Sequence, residues 1–83
     1  MLKSQRMDVK KRIETNLAVM QGKPVVRGTR IPVELLLRKL AEGAQPTELL
    51  DAYPRLTDDD IRACLAYAAE TIAHESVYPL DIK

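Results

Sequence analysis

Five basic side chains, Lys23, Arg27, Arg30, Arg38 and Lys39, fall in one short stretch of the chain and are its best candidates for recognition chemistry. Such a set can neutralise phosphates along a nucleic-acid backbone. It can equally enter the carboxylate cluster of a metal-dependent nuclease, because a guanidinium pairs with a carboxylate through two parallel hydrogen bonds. The plainer alternative is a solvated charged face, on which single ion pairs contribute little.

Nucleophilic and metal chemistry find less support. Cys64 is the one cysteine, so the chain can form neither an internal disulfide nor a cysteine metal cluster. It falls on an apolar helical stripe, where a thiol acts as a small apolar group. His74 is the one histidine and lies near an expected helix end, where a cation suits the dipole. Asp58, Asp59 and Asp60 suit helix capping better than a shared metal ion, since consecutive helical positions point in different directions. Gly22 and Gly28 flank a hairpin and not the strand-to-helix turn that cradles phosphates. The expectation is a protein that is not an enzyme and uses no cofactor and no metal.

At 83 residues the chain fits one small domain. It has no Trp and no Phe, so Leu, Ile, Val and Ala must fill a modest core, and a dimer or a docked partner would supply further apolar contact. The net charge of +1 conceals a polarity. Residues 1–39 hold ten Lys/Arg against three Asp/Glu, a balance of +7, whereas residues 40–83 hold three against nine, a balance of −6. Either the front half faces a polyanion or an acidic surface, or the two halves serve solubility and head-to-tail self-association. A single unpaired cysteine fits a reducing compartment, no apolar run is long enough for a membrane span, and the charged start does not resemble a signal peptide. The cytoplasm is the expected location.

These residues need elements to position them. Residues 1–11 read as a flexible basic arm, Arg12 to Thr15 as a weak strand, and Asn16 to Met20 as a short helical turn. Pro24-Val25-Val26 and Thr29-Arg30-Ile31 are β-prone runs on either side of an Arg27-Gly28 turn, a tight hairpin in which Gly28 takes positive φ. Pro32 opens a helix to about Glu42, with Val33, Leu36, Leu37 and Leu40 facing the core, Leu35 off the stripe and Gly43 ending it. A second helix runs from Pro46 to Tyr53 with Leu49, Leu50 and Tyr53 inward, and Pro54 stops it. Leu56 plugs the turn. Thr57 caps a third helix, Asp60 completes the box, and Ile61, Cys64, Leu65, Ala68 and Ile72 form its core stripe. A domain over 12–75 results, mostly α, with a short β-hairpin before a helix-turn-helix layout. In the tail, 76–83, Val77, Tyr78, Leu80 and Ile82 are costly to leave in water, so they dock on their own domain or on a partner.

The run from Gly22 through Arg27-Gly28-Thr29-Arg30-Ile31-Pro32 to Val33, followed by Leu40-Ala41-Glu42-Gly43 and Tyr53-Pro54-Arg55-Leu56-Thr57, resembles the bacterial family called domain of unknown function 433. The resemblance covers roughly Arg12 to Ala73. It implies a three-helix, homeodomain-like fold behind a β-hairpin, and a Vap-type antitoxin acting with a PIN-like ribonuclease toxin and on its own promoter DNA. A stand-alone DNA-binding regulator and a dimeric adaptor domain are the competing functions, and a homodimer is expected on grounds of core size. One feature opposes groove reading: the helix that would enter DNA begins with three carboxylates, which phosphates repel.

Overall fold

A computed structural model describes residues 9–15 and 22–74. They form a helical turn α1 (Val9–Arg12), strands β1 (Ile13–Glu14) and β2 (Val25–Val26), and helices α2 (Val33–Ala41), α3 (Pro46–Ala52) and α4 (Asp58–Ala73). The fold is mostly helical, as expected, with a small antiparallel sheet ahead of the three main helices.

The sheet differs from expectation in its pairing. β2 pairs with β1, Ile13 opposite Val26 and Glu14 opposite Val25. The Thr29–Ile31 run is no strand; it returns from the turn and touches β2 through the Val26 N–H to Ile31 carbonyl bond of 2.9 Å and a bridge between Val25 and Pro32. β2 is thus the middle element, and both its valines are fully buried. The turn is local chemistry. Gly28 has φ +83°, and the Thr29 hydroxyl donates to the Val26 carbonyl at 2.7 Å and accepts the Ile31 N–H at 3.0 Å.

Residues 9–11, expected in the flexible arm, instead belong to α1, and Val9 is buried. It joins the core cluster, and α1 packs on α4, which also packs against β1, α2 and α3. Residues 1–8 and the Asn16 to Met20 turn lie outside the described residues.

The main helices follow their sequence signals closely. α2 starts after Pro32, and its first N–H group bonds to the Pro24 carbonyl at 3.0 Å. It ends in a Schellman motif: Gly43, at φ +105°, donates to the Leu40 carbonyl at 3.0 Å, and Ala44 to that of Lys39 at 3.0 Å. α3 opens with Pro46 at its first position and a capping box in which the Gln45 N–H meets the Glu48 carboxylate at 2.7 Å. α4 opens with the Thr57–Asp60 box, at 3.0 and 3.1 Å. Val33, Leu36, Leu49, Leu56, Ile61 and Cys64 fill the core.

The α4 stripe departs from expectation. Ile61 and Cys64 are buried, but Leu65 is 50% and Ile72 67% exposed, while Ala63 is buried instead. The two have different reasons: Leu65 lies to one side of the packed face that Asp60, Cys64 and Tyr67 share, whereas Ile72 lies where the helix outruns the body it packs on, every residue from Ala69 to His74 being exposed.

Candidate functional site

The five expected basic residues have different surroundings. Arg27 is committed to the fold: Nε donates to the Lys11 carbonyl at 3.2 Å, and Nη2 donates to Lys10 at 3.0 Å and Ile13 at 3.5 Å. The guanidinium therefore closes the end of α1, whose last carbonyls have no helical partner. Arg38 and Lys23 converge on Glu34, at 2.6 and 4.0 Å. The hydrogen bond from Arg38 and the two positive charges hold the Glu34 carboxyl below the usual carboxylate range. Arg30 is exposed and makes no ion pair or side-chain hydrogen bond among the described residues, and Lys39, half-exposed, makes none either.

Arg30 stands on the wall of a groove of about 550 Å³. One side is the turn, residues 28–31; the other is residues 52–55, between α3 and α4. Ile31, Ala52, Tyr53 and Pro54 give an apolar lining, with Arg30 and Arg55 as the cations. Arg55 Nη1 donates to the Gly28 carbonyl across the groove at 3.0 Å and ties the two walls together. The sequence signalled each wall separately, as a turn and as a Pro-terminated helix, but not their meeting. Such a groove can seat an apolar segment that carries a carboxylate or another anion.

The acidic run behaves as a structural device. Asp60 is buried; its Oδ1 accepts Arg12 Nη1 at 3.1 Å while Oδ2 accepts the Thr57 N–H at 3.0 Å. Asp59 meets Arg12 at 3.5 Å. Asp58 and Asp59 are exposed at the start of α4, the end a helix-turn-helix protein turns to DNA. Among the described residues no three His, Cys, Asp or Glu side chains are grouped to hold a metal ion. Cys64 is buried; desolvation, with the Asp60 charge, pushes its thiol up to about 11. His74 Nδ1 lies 2.8 Å from the Glu70 carbonyl, a local contact at the end of α4. Val77, Tyr78, Leu80 and Ile82 of the expected docking tail lie outside the described residues. No helix among those described is long and apolar enough to cross a membrane.

Comparison with known proteins adds three findings. The family described as "Protein of unknown function (DUF433)" matches residues 13–68. The "Uncharacterized protein y4eO" of Sinorhizobium fredii is 40% identical over 50 residues, which is 60% of this chain and 23% of that protein. A crystal structure of a DUF433 member protein from Anabaena variabilis superposes with a TM-score of 0.72 at 34% identity, over 78% of this chain and 64% of the other. The chain thus spans under a quarter of the curated relative and less than two thirds of the solved one.

Proposed function

This chain belongs to the DUF433 family, and we propose that within it the protein is a cytoplasmic binding module and not an enzyme, an antitoxin-like partner that masks a PIN-like ribonuclease and regulates its own promoter. The observation that carries the reading is the groove between residues 28–31 and 52–55, with two arginines over an apolar lining. A PIN-like nuclease offers clustered carboxylates, and an arginine inserted among them would occupy the place of metal and substrate. Arg30 suits that insertion because its guanidinium is exposed and makes no ion pair or hydrogen bond among the described residues. Arg27 supports the face indirectly by holding α1 and β1 against the turn.

The test is to express any PIN-like nuclease found in a reading frame adjacent to this gene and to measure its inhibition. The wild-type chain is expected to bind it and suppress RNA cleavage, and Arg30→Glu to lose both while keeping its fold. Failure of the wild-type chain to bind or inhibit any such neighbour would sink the reading.

A second reading, a stand-alone DNA-binding regulator, draws on the arrangement of α3 and α4. Against it stand Asp58 and Asp59, exposed where phosphates would approach. DNA contact, where it occurs, is therefore assigned to Arg30, Lys39 and the basic front half. A dimeric adaptor domain is the third reading, and its discriminating feature is association without either nuclease or DNA.

A further inference from the structure

We propose that the groove between residues 28–31 and 52–55 receives the segment Leu80-Asp81-Ile82 of a second copy of this chain, so that two chains exchange tails in a homodimer.

The charges match. The groove presents Arg30 and Arg55 around Ile31, Tyr53 and Pro54. Leu80-Asp81-Ile82 offers one carboxylate between two apolar side chains. Asp81 can pair with Arg30, while the flanking residues cover apolar lining that is otherwise open to water. The lining itself carries two cations and no acidic residue, and the tail falls in the half of the chain with a balance of −6.

Reach decides between the same chain and another. The groove lies beside the start of α4, and the tail follows its end. The 16 residues of α4 cover about 24 Å at 1.5 Å per residue. Asp81 stands seven residues beyond His74, a span of at most about 25 Å when fully extended. A tail of the same chain would use that whole length retracing the helix, with none left to reverse direction and cross to the groove. A second chain meets no such limit. Reciprocal exchange uses both grooves and both tails, and so closes as a two-fold dimer. The tail and a nuclease would compete for this groove and for Arg30, and self-association is measured on the chain alone, so its outcome is separate from that of the nuclease test.

Sedimentation equilibrium of the full chain tests it, with Arg30→Glu, Asp81→Lys and the double variant R30E/D81K compared at equal salt. Arg30 is exposed and makes no ion pair or side-chain hydrogen bond among the described residues, so R30E should keep its circular dichroism and melting temperature. The expected result is a wild-type dimer, association weakened about tenfold or more in favour of monomer by each single change, and recovery of at least part of the lost association in the double variant, where opposite charges face each other again. A wild-type monomer at hundreds of micromolar overturns the proposal. So does a dimer indifferent to both single substitutions, which would place the interface elsewhere. A wild-type monomer whose melting temperature falls with D81K would mean that the tail docks within its own chain, and also overturns it.

Discussion

Arg12 and Asp60 stand 48 positions apart in the chain and 3.1 Å apart in space. Their contact fastens the turn α1 and strand β1 to the first turn of α4. The same carboxylate caps that helix through Thr57, so one side chain holds both a helix end and a long-range tie. Asp60→Ala removes both and leaves the Thr57 N–H unpaired, at a cost of about 1–3 kcal/mol. Arg12→Ala, whose side chain is half-exposed, costs less. Thermal melts of the two single variants and the double should show non-additive losses, because the second change removes a contact already gone. Additive losses would mean that the pair contributes nothing beyond the cap.

Arg27 and Arg30 look alike in sequence and should separate in the laboratory. Arg27→Ala frees three carbonyls and loosens α1, so the melting temperature falls. Arg27→Lys does not restore it, since one ammonium cannot reproduce the guanidinium fork. Arg30→Ala leaves the melt unchanged and alters only association or partner binding. Equal melts for Arg27→Ala and wild type would remove the structural role assigned here.

Gly28 is held at φ +83° with no heavy atom within 4 Å of the place a Cβ would take. The strain of a substitution there comes from the backbone and not from crowding. Stability should fall in the order Gly, Asn, Ala, Val, with about 1–2 kcal/mol for Ala and more for the β-branched residue. A Val variant as stable as the Ala variant would show that the turn relaxes to negative φ.

Local chemistry was legible in the sequence; long-range chemistry was not. Gly28, Gly43, Leu56 and the Thr57–Asp60 box each declare themselves within a few residues, because caps and turns are short-range devices. The Arg12–Asp60 tie, the carbonyls under Arg27 and the Arg55–Gly28 bridge depend on segments brought together only by folding, and Arg27 consequently read as a binding residue. β1 was visible as a weak strand, yet its partner was not, since the turn after Val26 offers a nearer second run. Leu65 and Ile72 have helical spacing, but periodicity tells neither how the packed face is centred, which leaves Leu65 to one side, nor how far the body beneath a helix extends, which leaves Ile72 beyond it.

Cys64 should resist thiol reagents in the native state. It is fully buried, and its pKa is raised from 9.0 to about 11 by desolvation first and the Asp60 charge second. The folded state therefore favours the neutral thiol. The contribution is fully present below pH 9 and is lost as pH rises from there towards 11, where the unfolded chain ionises first. Alkylation at pH 8 should be slow and should follow unfolding, accelerating in denaturant. Rapid native labelling would show that the core around Cys64 opens readily.

Glu34 tests whether the basic face binds polyanions. It lies between Lys23 and Arg38 and offsets their charge. Its pKa is lowered from 4.5, chiefly by the Arg38 hydrogen bond, so its interaction with the two cations is intact above 4.5 and is lost only as pH falls through the lowered value. Between pH 5 and 8 the carboxylate is therefore a constant negative charge, and Glu34→Gln should act equally across that range. If the front half contacts phosphates, the substitution strengthens binding to duplex DNA by about threefold at low salt and makes the salt dependence slightly steeper. Asp58→Ala should also strengthen binding, since it removes repulsion at the start of α4. Titrations of a labelled duplex at several salt concentrations measure both effects. Loss of binding in Asp58→Ala, with Glu34→Gln unchanged, would mean that α4 contacts DNA through its acidic end and that the basic front half does not.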